Sequence, residues 1–271
     1  MKKLTFKLLS LMLVTSTIFY SCGGNDTQET EEVTDDVAIS SEEEVSYVLP
    51  SPLQIVNLFK NAGLEYVGGL TNPKENVNNY NAKTGQKINF GVYAADMAYA
   101  ITNNQTQESI NYLNALRQMS EKIWMTDVFN SVGVAERLEK NVGNEDSLTT
   151  IMADLQMEMD EYLDENGASY TGSVIFAGAW IESMYLALNA NKNTNDKLTN
   201  RLSEQSVIVT NIIGAVKQAN EEGDLDGLIA NLETINNSFK SISETSGVLT
   251  AEQVEGLKTT VTEIRNNLIK G

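Results

Sequence analysis

Throughout residues 49–271 the apolar side chains recur three and four positions apart, and no run alternates for long enough to suggest a strand. A chain whose apolar residues keep to that one period buries them by packing helices on helices. The expected fold is therefore all-α, a single bundle-like domain of eight or nine helices arranged mostly as antiparallel hairpins.

The ends of these helices carry their own signals. Ser51 and Pro52 supply an N-cap and a proline at the first helical position, Leu53, Val56, Phe59 and Ala62 mark the inward side, and Gly63 ends the helix. The stretch 63–85 is rich in Asn and Gly and reads as loop, apart from a short helix expected after Asn72-Pro73 with Glu75 completing a capping box. Helices are expected over 88–101, 105–124 and 132–141. Another, capped by Asp146 or Ser147, should run to Gly167 with its methionines filling core. The stretch 171–188 is apolar nearly all round, as befits the most buried helix. Three clean stripes follow, running from Leu198 to Val216, from Leu225 to Ile242 and from Val254 to Leu268. Glu222-Gly223-Asp224 should stop one helix and cap the next, and Thr250 with Gln253 should form a capping box. These three are expected to form a layer packed on the rest, with no linker dividing the body.

Ahead of the body the composition changes twice. Residues 1–21 hold Lys2, Lys3 and Lys7, then an apolar run from Leu8 to Phe19 that is too short to span a bilayer, then Ser21. This reads as a secretory signal. The next residue, Cys22, is the chain's one cysteine, and its placement resembles a bacterial lipoprotein signal, in which the thiol is acylated and begins the mature chain. That resemblance implies a lipid anchor at Cys22 and, with Gly23 rather than Asp following it, the outer membrane, on either the periplasmic or the cell-surface side. An ordinary cleaved signal with an incidental cysteine is the alternative. Residues 22–48 then read as an acidic tether. Nine acidic residues and no basic one lie between Asp26 and Glu44, too little apolar surface to offset the entropy of ordering. Cation binding by this run is the alternative to a solvated spacer.

Composition removes several functions. With no His and one Cys, neither Ser-His-Asp nor Cys-His catalysis is available, nor a zinc site of the usual Cys/His type, nor an internal disulfide. From Cys22 onward there are 16 basic against 37 acidic residues, so the long-range field repels nucleic acid, and no nucleic-acid partner is expected. No cofactor or metal is implied.

Two acids stand out of place on apolar helices: Asp96 in VYAADMAYA and Glu182 in AWIESMYLA. A buried carboxylate needs a partner, so each is expected to meet a Tyr hydroxyl, an Asn amide, an Arg or a ligand. Tyr93, Tyr99, Trp180 and Tyr185 share those helices and form, with the two acids, the candidate binding set. Phe90, Asp96 and Tyr99 also repeat at the same spacing as Phe176, Glu182 and Tyr185, which suggests a duplicated helical hairpin, with chance similarity between two Ala-rich helices as the alternative.

The segments NFGVYAADMAYAITNNQTQESINYLNALRQMSEKI and IFAGAWIESMYLALN resemble an uncharacterised family of all-helical lipoproteins of Bacteroidota. The resemblance implies the location and the helical fold and brings no activity or site residues. The leading expectation is a membrane-anchored lipoprotein whose helical body is a binding or scaffold module, an accessory subunit of an outer-membrane complex held to the bilayer through Cys22. Two others stand beside it: an envelope hydrolase using Asp96 and Glu182 as paired carboxylates, and a glycan- or peptide-binding protein that uses the Tyr/Trp set without chemistry.

Overall fold

The computed structural model describes residues 49–131, 133–141, 144–190, 195–240 and 247–271. Residues 1–21, Cys22 and the acidic stretch lie outside the described residues, as do Val132, Gly143 and Ile242. The described residues form ten α-helices and one 3-10 helix, with no strand. In chain order these are α1 (Pro52–Asn61), the 3-10 helix (Lys74–Asn79), α2 (Lys83–Thr102), α3 (Thr106–Lys122), α4 (Thr126–Ser131), α5 (Val134–Lys140), α6 (Glu145–Glu165), α7 (Ser169–Ala190), α8 (Asp196–Gln218), α9 (Asp226–Asn237) and α10 (Ala251–Leu268). The fold is all-α, as the period requires, with α4 and α5 as short links between longer helices.

The capping boxes at Ser51/Gln54 and Thr250/Gln253 form as expected. Elsewhere asparagine takes over. Asn144, not Asp146 or Ser147, caps α6 by accepting from the Ser147 amide, and Asn195 caps α8 in the same way. Between α8 and α9 it is Asn220 that organises the turn, accepting from the Leu225 amide and donating to Asp226, so Glu222-Gly223-Asp224 is not the cap. The box at Glu75 does not form either. Asn72 gives its amide to the Tyr80 hydroxyl and accepts from Asn76, and the short helix is 3-10 with no side-chain cap. Helix α2 begins at Lys83 rather than 88, so Gly85 is helical, not loop.

At the centre α2 and α7 lie side by side and run parallel. Lys87 reaches the Tyr170 ring near the start of both, Gly91 lies against Ile175 and Ala179, and Asp96 faces Glu182 further along. The approach is close because glycine permits it. A Cβ on Gly91 would fall 1.8 Å from the Ile175 carbonyl oxygen, and one on Gly178 would fall 2.1 Å from that of Ile88. Helix α7 is long and apolar enough to cross a membrane by length and composition, but it is buried inside the bundle. Apolar side chains from Leu53 to Ile264 close around the pair as one continuous core.

The C-terminal helices form the expected layer. Helix α8 packs on α7, where Gln205 meets Trp180, and α9 turns back along α8, where Lys217 pairs with Glu233. Helix α10 then runs against α7 in the opposite sense, with Thr262 beside Asn189 and Arg265 beside Glu182. The hairpins α2–α3 and α7–α8 thus meet through α2 and α7, the two helices that carry the repeated Phe, acid and Tyr.

Candidate functional site

The fold brings Asp96 and Glu182 together, each with 0% of its surface exposed. The partner that the sequence reading missed is Arg265, itself buried. Its Nε donates to Glu182 Oε2 at 2.7 Å and its terminal nitrogen to Oε1 at 2.8 Å, a two-pronged charge-assisted pair. The guanidinium also donates to the Leu70 carbonyl at 3.1 Å and lies 4.2 Å from the centroid of the Tyr185 ring. Arg265 was detectable, since it falls four residues after Val261 and three before Leu268, inside the apolar stripe of α10.

One guanidinium serves two carboxyl groups, and Asp96 is the one left over. Its Oδ2 accepts from the Asn72 amide at 3.0 Å, while its Oδ1 is buried with no donor directed at it. The group beside it is the Glu182 carboxylate, and two acceptors can face each other only when one holds a proton. Burial first, and the Glu182 charge second, raise the Asp96 pKa well above the usual carboxylate range, against the lowering effect of Arg265. Both causes favour the protonated form of Asp96 beside the Glu182 charge.

The aromatic hydroxyls do not bond to these acids. Tyr93 donates to the Pro73 carbonyl at 2.9 Å, Tyr99 donates to Glu65 O at 2.6 Å and accepts from the Val67 amide, and Tyr112, also unforeseen, donates to Asn72 O at 3.2 Å. Burial raises all three phenols, that of Tyr99 to about 12. Trp180 is sealed in the core and donates to Gln205 Oε1 at 3.0 Å.

The polar partners of α2, α3 and α10 share one target. Asp96, Tyr93, Tyr99, Tyr112 and Arg265 all bond to backbone groups between residues 65 and 73. That stretch is irregular, so its N–H and C=O groups have no helix of their own to satisfy them, and buried backbone must be paired. The side chains that looked out of place on apolar helices supply those bonds.

Among the clefts lined by described residues, two stand out. One of about 390 Å³ lies between the 3-10 helix and the end of α10, lined by Asn76, Asn79, Asn266, Ile269 and Lys270. One of about 580 Å³ lies where the start of α1 meets α6 and α7, lined in part by Gln54, Gln156, Met157, Asp160 and Phe176. None of Asp96, Glu182, Tyr93, Tyr99, Trp180 and Tyr185 lines either one. Among the described residues no cluster of acidic side chains is placed to hold a metal ion. Comparison with protein-family models, curated protein sequences and solved structures finds no match to this chain.

Proposed function

We propose that the chain is a lipoprotein, acylated at Cys22 and held at the outer membrane, whose helical body is a binding or scaffold module acting as an accessory subunit of an envelope complex. The observation that carries this reading is where the candidate chemistry is used. The paired acids and the hydroxyls of Tyr93 and Tyr99 are committed to the protein's own loop and core and line neither of the two clefts described, so recognition falls to the outer surface. A hydrolytic pair needs substrate within reach of its carboxyls, and here both acids are fully buried, Glu182 held by Arg265 and Asp96 by the Asn72 amide. The anchor rests on the signal-like residues 1–21 and the cysteine that follows them.

Palmitate labelling of the wild type, with none on Cys22→Ser, is the expected result for the anchor, and an unlabelled wild type would overturn it. For the accessory role, crosslinking in intact cells followed by affinity isolation should recover a defined envelope protein with this chain. Recovery of the chain alone at native abundance would end that reading.

A further inference from the structure

Four helices close with the same turn, in which the amide two residues past the cap bonds back to the last full turn and the residue between takes a left-handed conformation. The bonds are Leu64 N to Phe59 O for α1, Gln105 N to Ala100 O for α2, Met125 N to Ser120 O for α3 and Ala168 N to Leu163 O for α6. The left-handed position is Gly63 in α1, Asn104 in α2 and Gly167 in α6, the residue types that tolerate it best. In α3 it is Trp124, with φ of 60°.

That tryptophan is also the most open of the exposed large apolar residues, at 73%. Lys83 lies 4.5 Å from its ring centroid and the Tyr162 hydroxyl holds its carbonyl at 2.9 Å, but neither buries the indole. The residue thus holds a strained backbone while its indole contributes nothing to the core. Close by, Tyr170 is 47% exposed. The setting is acidic on balance, with Lys83 and Lys87 over the two rings outnumbered by carboxylates. Glu121 and Asp127 stand three residues either side of Trp124, and Glu161, Asp164 and Glu165 surround Tyr162, all five exposed.

We infer that the end of the bundle around Trp124 is the docking surface through which the body engages its protein partner, and that the partner offers an apolar slot for the indole, rimmed by Lys and Arg. This deepens the accessory-subunit reading and rests on it. Large aromatic side chains are the residues that dominate protein interfaces, and the acidic frame selects a basic rim. The same frame repels an anionic lipid surface.

The test uses the full acylated chain in its own cells, with a photoreactive benzophenone side chain in place of Trp124 or, as control, of Val207, a 63% exposed residue on α8. An adduct is expected from position 124 and not from 207, to a Lys/Arg-rich protein segment, with a yield that falls as salt is raised before irradiation. An adduct to lipid or to an acidic segment, equal yields from both positions, or no adduct overturns the surface. Trp124→Gly gives the backbone the residue its φ favours, so it should melt no lower than wild type and yet recover about tenfold less partner. If Trp124→Gly recovers partner as well as wild type does, this surface is wrong and the accessory role stands. If wild type recovers none, both are wrong.

Discussion

The central pair α2–α7 and the C-terminal layer α8–α10 are built from similar helices and solve opposite problems. Each helix of the layer has a side to water, so its apolar residues form one stripe and, Arg265 of α10 excepted, its charges lie outside, as with Arg201 and Glu204, both about half exposed. Over its central turns α2 has no such side, and α7 has almost none. Their close contact requires glycine, and any polar group on them needs a named partner. In the layer, packing tolerates change and exposed charges contribute little. In the pair, backbone approach and hydrogen bonding are both exacting.

The sharpest break of that contrast is Gly91→Ala. With a Cβ 1.8 Å from a backbone oxygen, the pair must separate, and the variant should lose more than about 4 kcal/mol or fail to accumulate as folded protein, read by urea unfolding. Arg265→Met comes next. It leaves two buried acids without their cation and should cost about 3–5 kcal/mol, whereas Arg201→Met in the layer should stay within about 0.5 kcal/mol.

Asp96→Asn sharpens the comparison through pH. An amide imitates the protonated acid and keeps an oxygen to accept from the Asn72 amide. Because the folded-state pKa of Asp96 lies above its unfolded value of about 4, its stabilising contribution is complete below that pH and is lost as pH rises toward the folded value. The advantage of Asp96→Asn over wild type should therefore grow by about 1 kcal/mol per pH unit across that window, seen in unfolding curves from about pH 5 to 8. An advantage that does not change with pH would mean that Asp96 is ionised in the fold.

Tyr99→Phe removes the hydroxyl shared by Glu65 and Val67 and should cost about 1–3 kcal/mol, with faster amide exchange at Val67. A small effect of opposite sign belongs to the layer. Gly256→Ala on α10 meets nothing within 4 Å and should raise stability by about 0.5–1 kcal/mol, measured as a higher Tm.

The same division governs what could be read before the structure. The stripes of α8 and α10 and the cap at Thr250 follow from residues within a few positions of each other, and they stand in the fold as read. Asp96 and Glu182 were visible as anomalies because an acid among apolar neighbours needs no structure to be noticed. Their use was not visible. Arg265 lies 83 residues beyond Glu182, and the loop backbone they jointly serve carries no side-chain signal at all. The Glu75 cap failed for a related reason, since Asn72 was taken by Tyr80 and Asn76.

Residue types and their spacing were enough to set the helical class, most helix limits and the inward faces of the outer helices, because a helix bonds to itself within four residues and water selects its exposed side. Only tertiary packing decided that α2 and α7 run parallel, that Asp96, Glu182 and Arg265 share one buried cluster, and that a strained Trp124 projects from the end of the bundle. Each of these depends on which distant groups meet in space, where desolvation and close approach act on pairs that chain order leaves far apart.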